Sequence, residues 1–192
     1  PYILSMLSYT DNTSPIHRGV FLSRNILGNI LQPPADAIAP LSDDVYPDLT
    51  TRERVTLQTK STTCQTCHSM INSLGFALEE YDAIGRLRTT ENRAGQAKPI
   101  NANGNYQPRN GTEAVFHGGH ELGHYLATER DACETFVQSL FHAIVGHPPK
   151  AWGSNTIGQL TDRFISENYS IRNLIVEIAL VMTKPSRKSL EH

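Results

Sequence analysis

Cys64-Gln65-Thr66-Cys67-His68 opens a run, CQTCHSMINSLGFALEEYDAIGRLR, that ends at Arg88. Cys-x-x-Cys-His is the attachment signature of c-type haem. The spacing has a physical reason. Two thiols three positions apart can each form a thioether to a vinyl group of one porphyrin. The adjacent histidine then lies under the iron and supplies the proximal nitrogen. Two other readings compete. A thioredoxin-like redox pair wants an apolar strand before it, and Thr59-Lys60-Ser61-Thr62-Thr63 is polar. A zinc site wants a second close pair, and the third cysteine, Cys133, stands alone. The preferred reading is one covalent haem c, attached at Cys64 and Cys67, with His68 on the iron.

Outward from this motif the pattern is helical. Leu74, Leu78 and Tyr81 are spaced for one helix face between Ile71 and Arg88, with Gly85 as its stop. Upstream, Thr50 or Thr51 caps a short charged helix reaching about Lys60, with Glu53 in its first turn. A proline-rich connector from Gln32-Pro33-Pro34 to Pro47 precedes it. Ser14-Pro15 reads as an N-cap followed by proline at the first helical position. Ile16, Val20, Ser23 and Leu27 then share one face, and Gly28 is the stop.

Downstream, residues 89–124 are rich in glycine and asparagine and read as turns, with a short hairpin whose tip is Asn110-Gly111. Gly118, Gly119 and Gly123 argue against a helix there. Helical pattern returns with the stripe Phe136, Val137, Leu140, Phe141 and Ile144, ended by Gly146 and Pro148-Pro149. Trp152 is expected to pack on the last helices. Ile157, Leu160 and Phe164 mark a second helix. Ile171 to Met182 marks a third, apolar on most sides and expected to be buried. The fold class is mainly α, a cytochrome c-like helical haem domain with a helical C-terminal extension and a loop-rich insertion.

Composition narrows the function. The 192 residues carry 17 Lys and Arg against 19 Asp and Glu, a formal charge of -2. That balance excludes a strongly basic nucleic-acid binder. No apolar run approaches the roughly 18 residues of a membrane helix. Three cysteines are too few for a disulfide scaffold. The sequence begins at Pro1 without a leader pattern, and Leu190-Glu191-His192 resembles the start of a histidine tag. A fragment of a longer protein is the expectation.

The run from Cys64 to Arg88 resembles the cytochrome c-like domains of large planctomycete multidomain proteins, known as domains of unknown function 1588 and 1585. The resemblance extends through SPIHRGVFLSRNILG (Ser14 to Gly28), TTRERVTLQTK (Thr50 to Lys60) and KPINANG (Lys98 to Gly104). It continues through FVQSLFHAIVGHPP (Phe136 to Pro149) and YSIRNLIVEIAL (Tyr169 to Leu180). It implies a cytochrome c-like domain over residues 1–95 and a helical C-terminal domain packing on it over 96–189; residues 190–192 are the tag remnant read from their own sequence. It also implies an exported protein with further domains upstream. Two positions depart from the pattern. Asn72-Ser73-Leu74-Gly75-Phe76 stands where Asp-Pro-Leu-Gly-Phe is usual, and Gln58 stands where many wider relatives have histidine.

The group opposite His68 is open in the sequence. Met70 is tethered to the side of His68, and Met6 and Met182 read more readily as packing residues. His17 and His142 are the distal candidates, each also readable as a helix-surface histidine. Arg18, Arg86 and Arg88 are candidates for haem propionate contacts, with ion pairs to Glu79 or Asp82 as the alternative. His120-Glu121-Leu122-Gly123-His124 matches the zinc-protease string, and the neighbouring glycines discount it. Cys133 reads as a small buried apolar residue.

The expected function is a single-haem c-type cytochrome module, an electron carrier rather than an enzyme, working with a redox partner protein. No nucleic acid and no membrane span is expected in this chain. Covalent haem attachment implies a periplasmic or extracytoplasmic location. The alternatives are a haem enzyme or sensor with an open distal site, peroxidase-like or gas-binding, and a haem-free interaction module.

Overall fold

The computed structural model describes residues 2–32, 41, 42, 44–109 and 111–183. Pro33, Pro34 and Pro40 of the connector, Asn110 of the expected hairpin tip, and residues 190–192 lie outside them. The architecture is mainly α. Chain contacts divide it into two compact units, Pro1–Leu126 and Ala127–His192. Gly95, at the boundary read from the sequence, sits in the turn of a hairpin within the first unit.

The first unit begins with a short helix α1 (Tyr2–Met6) and then α2 (Pro15–Phe21). The Ser14 side chain accepts from the His17 N–H, so the cap and the N1 proline act as the sequence indicates. A π-helical turn, Leu22–Ile26, continues α2. The face the apolar spacing predicts is buried only in its second half, where Ser23 and Leu27 are wholly enclosed. Pro15, Arg18, Gly19, Leu22 and Ser23 are buried, whereas Ile16 and Val20 are only partly so. The reason is close helix packing, which selects for small residues rather than apolar ones.

Helix α3 (Thr51–Gln58) starts at a full capping box between Thr50 and Glu53. Helix α4 (Thr62–Phe76) starts earlier than the pattern indicates and carries the whole Cys-x-x-Cys-His motif in its first two turns. Ser61 caps it. It ends well before Gly85: residues 77–80 form turns, and Tyr81 bridges to Leu87. Gly19 on α2 abuts the Ile71 backbone carbonyl on α4, and Gly75 on α4 abuts the Pro15 carbonyl. The two helices therefore run antiparallel at backbone contact, a separation only glycine permits.

Two antiparallel hairpins follow. Strand β1 (Thr90–Arg93) pairs with β2 (Gln96–Pro99), and β3 (Asn103–Tyr106) pairs with β4 (Ala114–His117). Gly111 lies in the β3–β4 connection, which accounts for the expected hairpin. A helix α5 (Gly119–Thr128) then forms despite its glycines. Leu122 is its buried anchor, and the Gly119 N–H donates to the Glu80 carboxylate. Tertiary contact outweighs propensity here.

The second unit is a three-helix arrangement of α6 (Arg130–Val145), α7 (Thr156–Ser166) and α8 (Ile171–Met182). Gly146 closes α6 in the left-handed conformation at φ 71°. The core is Val137, Phe141, Leu160, Phe164, Leu174 and Ile178, with Trp152 edge-on to Phe141 at 5.5 Å. Each such fully buried side chain contributes roughly 1.5–3 kcal/mol. Cys133 is buried, and burial pushes its thiol pKa up. Helix α8 is less buried than its composition implies. Only Leu174 and Ile178 are buried, and Ile171, Ile175, Val176 and Leu180 are exposed.

Candidate functional site

Cys64, Cys67 and His68 occupy positions i, i+3 and i+4 of α4, so they share one face. All three are half-buried, and neither thiol is in a disulfide. The Ser61 hydroxyl both caps the helix and donates to the Cys64 sulfur at 3.0 Å. The site is therefore built at a helix start, on a helix locked to α2 by Gly19 and Gly75.

The imidazole is held from one side. His68 Nδ1 lies 3.0 Å from Asn72 Oδ1, one helical turn on. Asn72 is buried, and its Nδ2 donates to Thr59 Oγ1 at 2.8 Å. Thr59 in turn donates to the Val55 carbonyl at 2.8 Å, so the support reaches back into α3. A histidine that ligates a metal through one nitrogen ordinarily gives its other N–H to such an acceptor. Two free thiols one turn apart, beside an imidazole with Nε2 left over, fit covalent haem. Among the described residues no group of three or more His, Cys, Asp or Glu side chains is placed to hold a metal ion.

The structure distributes the other candidates differently. His17 is exposed, two residues from both Pro15 and Gly19, and so on the side of α2 away from α4. Its ring lies 5.3 Å from that of Tyr9. His142 is exposed on α6 in the second unit. The Met70 sulfur accepts from Asn29 Nδ2 at 3.6 Å and Ser23 Oγ at 3.8 Å. Met6 and Met182 are exposed rather than packed, because α1 and the end of α8 are surface helices.

Arg18 is wholly buried and works as a staple. Its NH1 donates to the carbonyls of Leu78 and Tyr81 at 2.8 and 2.7 Å. Its NH2 donates to the Asp82 carbonyl at 2.7 Å and Ser8 Oγ at 3.1 Å. Arg88 pairs with Glu79 at 3.3 Å, and Arg86 pairs with Asp82 at 2.7 Å on the surface. Each of these guanidiniums thus has a protein carboxylate or carbonyl partner. The ion pairs to Glu79 and Asp82 offered as the alternative are present, and Glu79 is the buried centre of this cluster. Burial lifts its carboxyl to about 6, against the opposing pull of Thr13, Arg18 and Arg88. Burial also lowers the Arg18 pKa.

Gln58 lines a cleft of about 320 Å³ with Tyr9, Ser14, Ile16, Arg54 and Val55. Cys64, Cys67 and His68 are not among its lining residues. His120 and His124 on α5 have ring centroids 4.6 Å apart. Glu121 between them accepts from the His117 N–H at 2.7 Å, which ties it to the end of β4.

Residues 1–91 match PSCyt3, a protein family of unknown function (DUF1588). The PSCyt3 match supports the resemblance to a planctomycete-type cytochrome-like family over that span. It takes in α1 to α4, and with them the whole Cys-x-x-Cys-His motif and Asn72. The name PSCyt3 points to a cytochrome-like module, and its description assigns no activity. No curated protein and no solved structure matches the chain.

Proposed function

We propose that this chain is a single-haem c-type cytochrome module that passes electrons to and from a redox partner protein. The observation that carries this reading is the pairing of two free thiols with a histidine whose Nδ1 is already held by Asn72. Haem at this site would supply one-electron exchange between ferric and ferrous iron. Cys64 and Cys67 would anchor it by thioethers, and His68 Nε2 would supply the proximal nitrogen. The near-neutral charge of -2 gives weak long-range steering, so partner docking would rely on local contacts. Covalent haem attachment would go with a location outside the cytoplasm, and the resemblance would make the module part of a longer exported protein whose later part is of the 1585 type.

The test is haem staining after denaturing electrophoresis of protein expressed with haem-maturation genes. The wild type should stay stained and the Cys64→Ala/Cys67→Ala variant should not. An unstained wild type would refute the reading.

A second reading has one observation in its favour. His17 is exposed beside Tyr9 and the Met70 sulfur already accepts two hydrogen bonds, so neither is held ready as a distal ligand. An open sixth position would suit a peroxidase-like or gas-binding role. Rapid binding of carbon monoxide and cyanide at neutral pH would favour this reading; resistance to both would favour electron transfer.

A further inference from the structure

We propose that Asn72 is a positioning residue that locks His68 in the Nδ1–H tautomer and so presents the bare lone pair of Nε2. The role in electron transfer rests on the haem reading above, whereas the tautomer itself does not. Protons can be counted along the chain His68–Asn72–Thr59–Val55. An asparagine amide and a neutral imidazole can be arranged in two self-consistent ways. In one, Thr59 donates to Val55, Asn72 Nδ2 donates to Thr59, and Asn72 Oδ1 accepts from His68 Nδ1–H. In the other, every donor reverses. Thr59 donates to Asn72 Oδ1, Asn72 Nδ2 donates to a bare His68 Nδ1, and the proton sits on Nε2.

The Thr59–Val55 distance decides between them. Thr59 Oγ1 lies 2.8 Å from the Val55 carbonyl oxygen. A carbonyl oxygen can only accept, so that contact requires the single hydroxyl proton of Thr59. In the reversed arrangement the proton is spent on Asn72, and two oxygens would face each other at 2.8 Å with no hydrogen between them. Thr59 Oγ1 must therefore accept from Asn72 Nδ2, at 2.8 Å. Asn72 Oδ1 is then the atom 3.0 Å from His68 Nδ1, and Nδ1 must carry the proton. Thr59 and Asn72 are 3% and 7% exposed, so water is poorly placed to substitute for either partner.

The acceptor is also neutral. A carboxylate at position 72 would draw the Nδ1 proton toward itself and give the ring imidazolate character, which favours ferric iron. An amide draws it weakly. Asn72 thus sets both which nitrogen is offered and how strongly it donates.

Two measurements test this. The first needs no haem. Histidine labelled with nitrogen-15 is incorporated into the full chain, expressed without maturation genes, and the ring resonances of His68 are read at alkaline pH. Circular dichroism checks that each variant remains helical. The wild type and Thr59→Ser should show a protonated Nδ1. Asn72→Leu should move to the Nε2–H form that free imidazole prefers. A wild-type His68 protonated at Nε2, or an Asn72→Leu variant that keeps Nδ1–H, overturns the proposal. The second uses haem-loaded protein. Asn72→Asp should shift the ferric–ferrous equilibrium at least tenfold toward ferric, 59 mV for one electron. Thr59→Ser should leave it in place. An unchanged potential in Asn72→Asp would overturn the electronic part. A chain that takes up no haem would refute the proposed function and leave the relay to be decided by the tautomer spectrum alone.

Discussion

Glu79 Oε1 and Arg18 NH1 stand 3.6 Å apart in the interior of the first unit, with side-chain exposures of 4% and 0%. This pair ties α2 to the turns that follow α4, and so holds the helix that carries Cys64, Cys67 and His68. Thr13 donates to the other Glu79 oxygen at 2.7 Å. Removing one partner of such a pair leaves a buried charge uncompensated, which costs about 3–5 kcal/mol. Arg18→Met at neutral pH should therefore lower the denaturant midpoint substantially, as equilibrium unfolding would show.

The same carboxyl gives a pH dependence. Its folded pKa is about 6, raised from 4.5 by burial. The folded state therefore holds this proton more tightly than the unfolded state. Stability from Glu79 is full below about pH 4.5 and declines as pH rises through about 6. The loss amounts to about 2 kcal/mol. Other carboxylates titrate as well, so the quantity to measure is the difference between wild type and Glu79→Gln. Unfolding free energies at pH 4.5 and 7 should show that the gap narrows with rising pH by this amount. A gap that widens would contradict the burial argument.

Close helix packing makes a third prediction. Gly19→Ala and Gly75→Ala would each set a methyl group against a backbone carbonyl on the opposing helix. Backbone cannot swing aside, so each should cost at least about 1–3 kcal/mol. Gly123 in α5 has open space around it, and Gly123→Ala should instead stabilise by about 1 kcal/mol. Thermal melts of the three variants would check both signs.

In the second unit the contrast lies along one helix. Ile178 is fully buried and Ile175 is 44% exposed. Ile178→Ala should cost about 2–5 kcal/mol. Ile175→Ala should cost clearly less. Equal costs in urea unfolding would mean that the exposed face of α8 is covered in solution.

Helices α2 and α3 are legible from their capped starts. Ser14-Pro15 and the Thr50–Glu53 box announce α2 and α3 through local hydrogen-bonding chemistry. Helix α8 was legible in extent but not in burial, because composition cannot tell a core helix from a surface one. The packing of α2 on α4 was hidden for a different reason. Gly19 and Gly75 carry no hydropathy signal, and nothing in the sequence marks Arg18 as wholly buried. Helix α4 begins before the apolar spacing does, because Ser61 caps it three residues before Cys64 while its first turns are polar. At the site, Cys64, Cys67 and His68 were legible from spacing alone. Asn72 was not, since its i+4 distance from His68 gains meaning only when Thr59 from the end of α3 fixes the amide.

Covalent haem at Cys64 and Cys67 is decided by an alkaline pyridine haemochrome of the purified protein. Sharp dithionite-reduced bands of c type are expected, with haem that survives acid–acetone extraction. A colourless protein despite co-expressed maturation genes, or haem that the solvent removes, would contradict it.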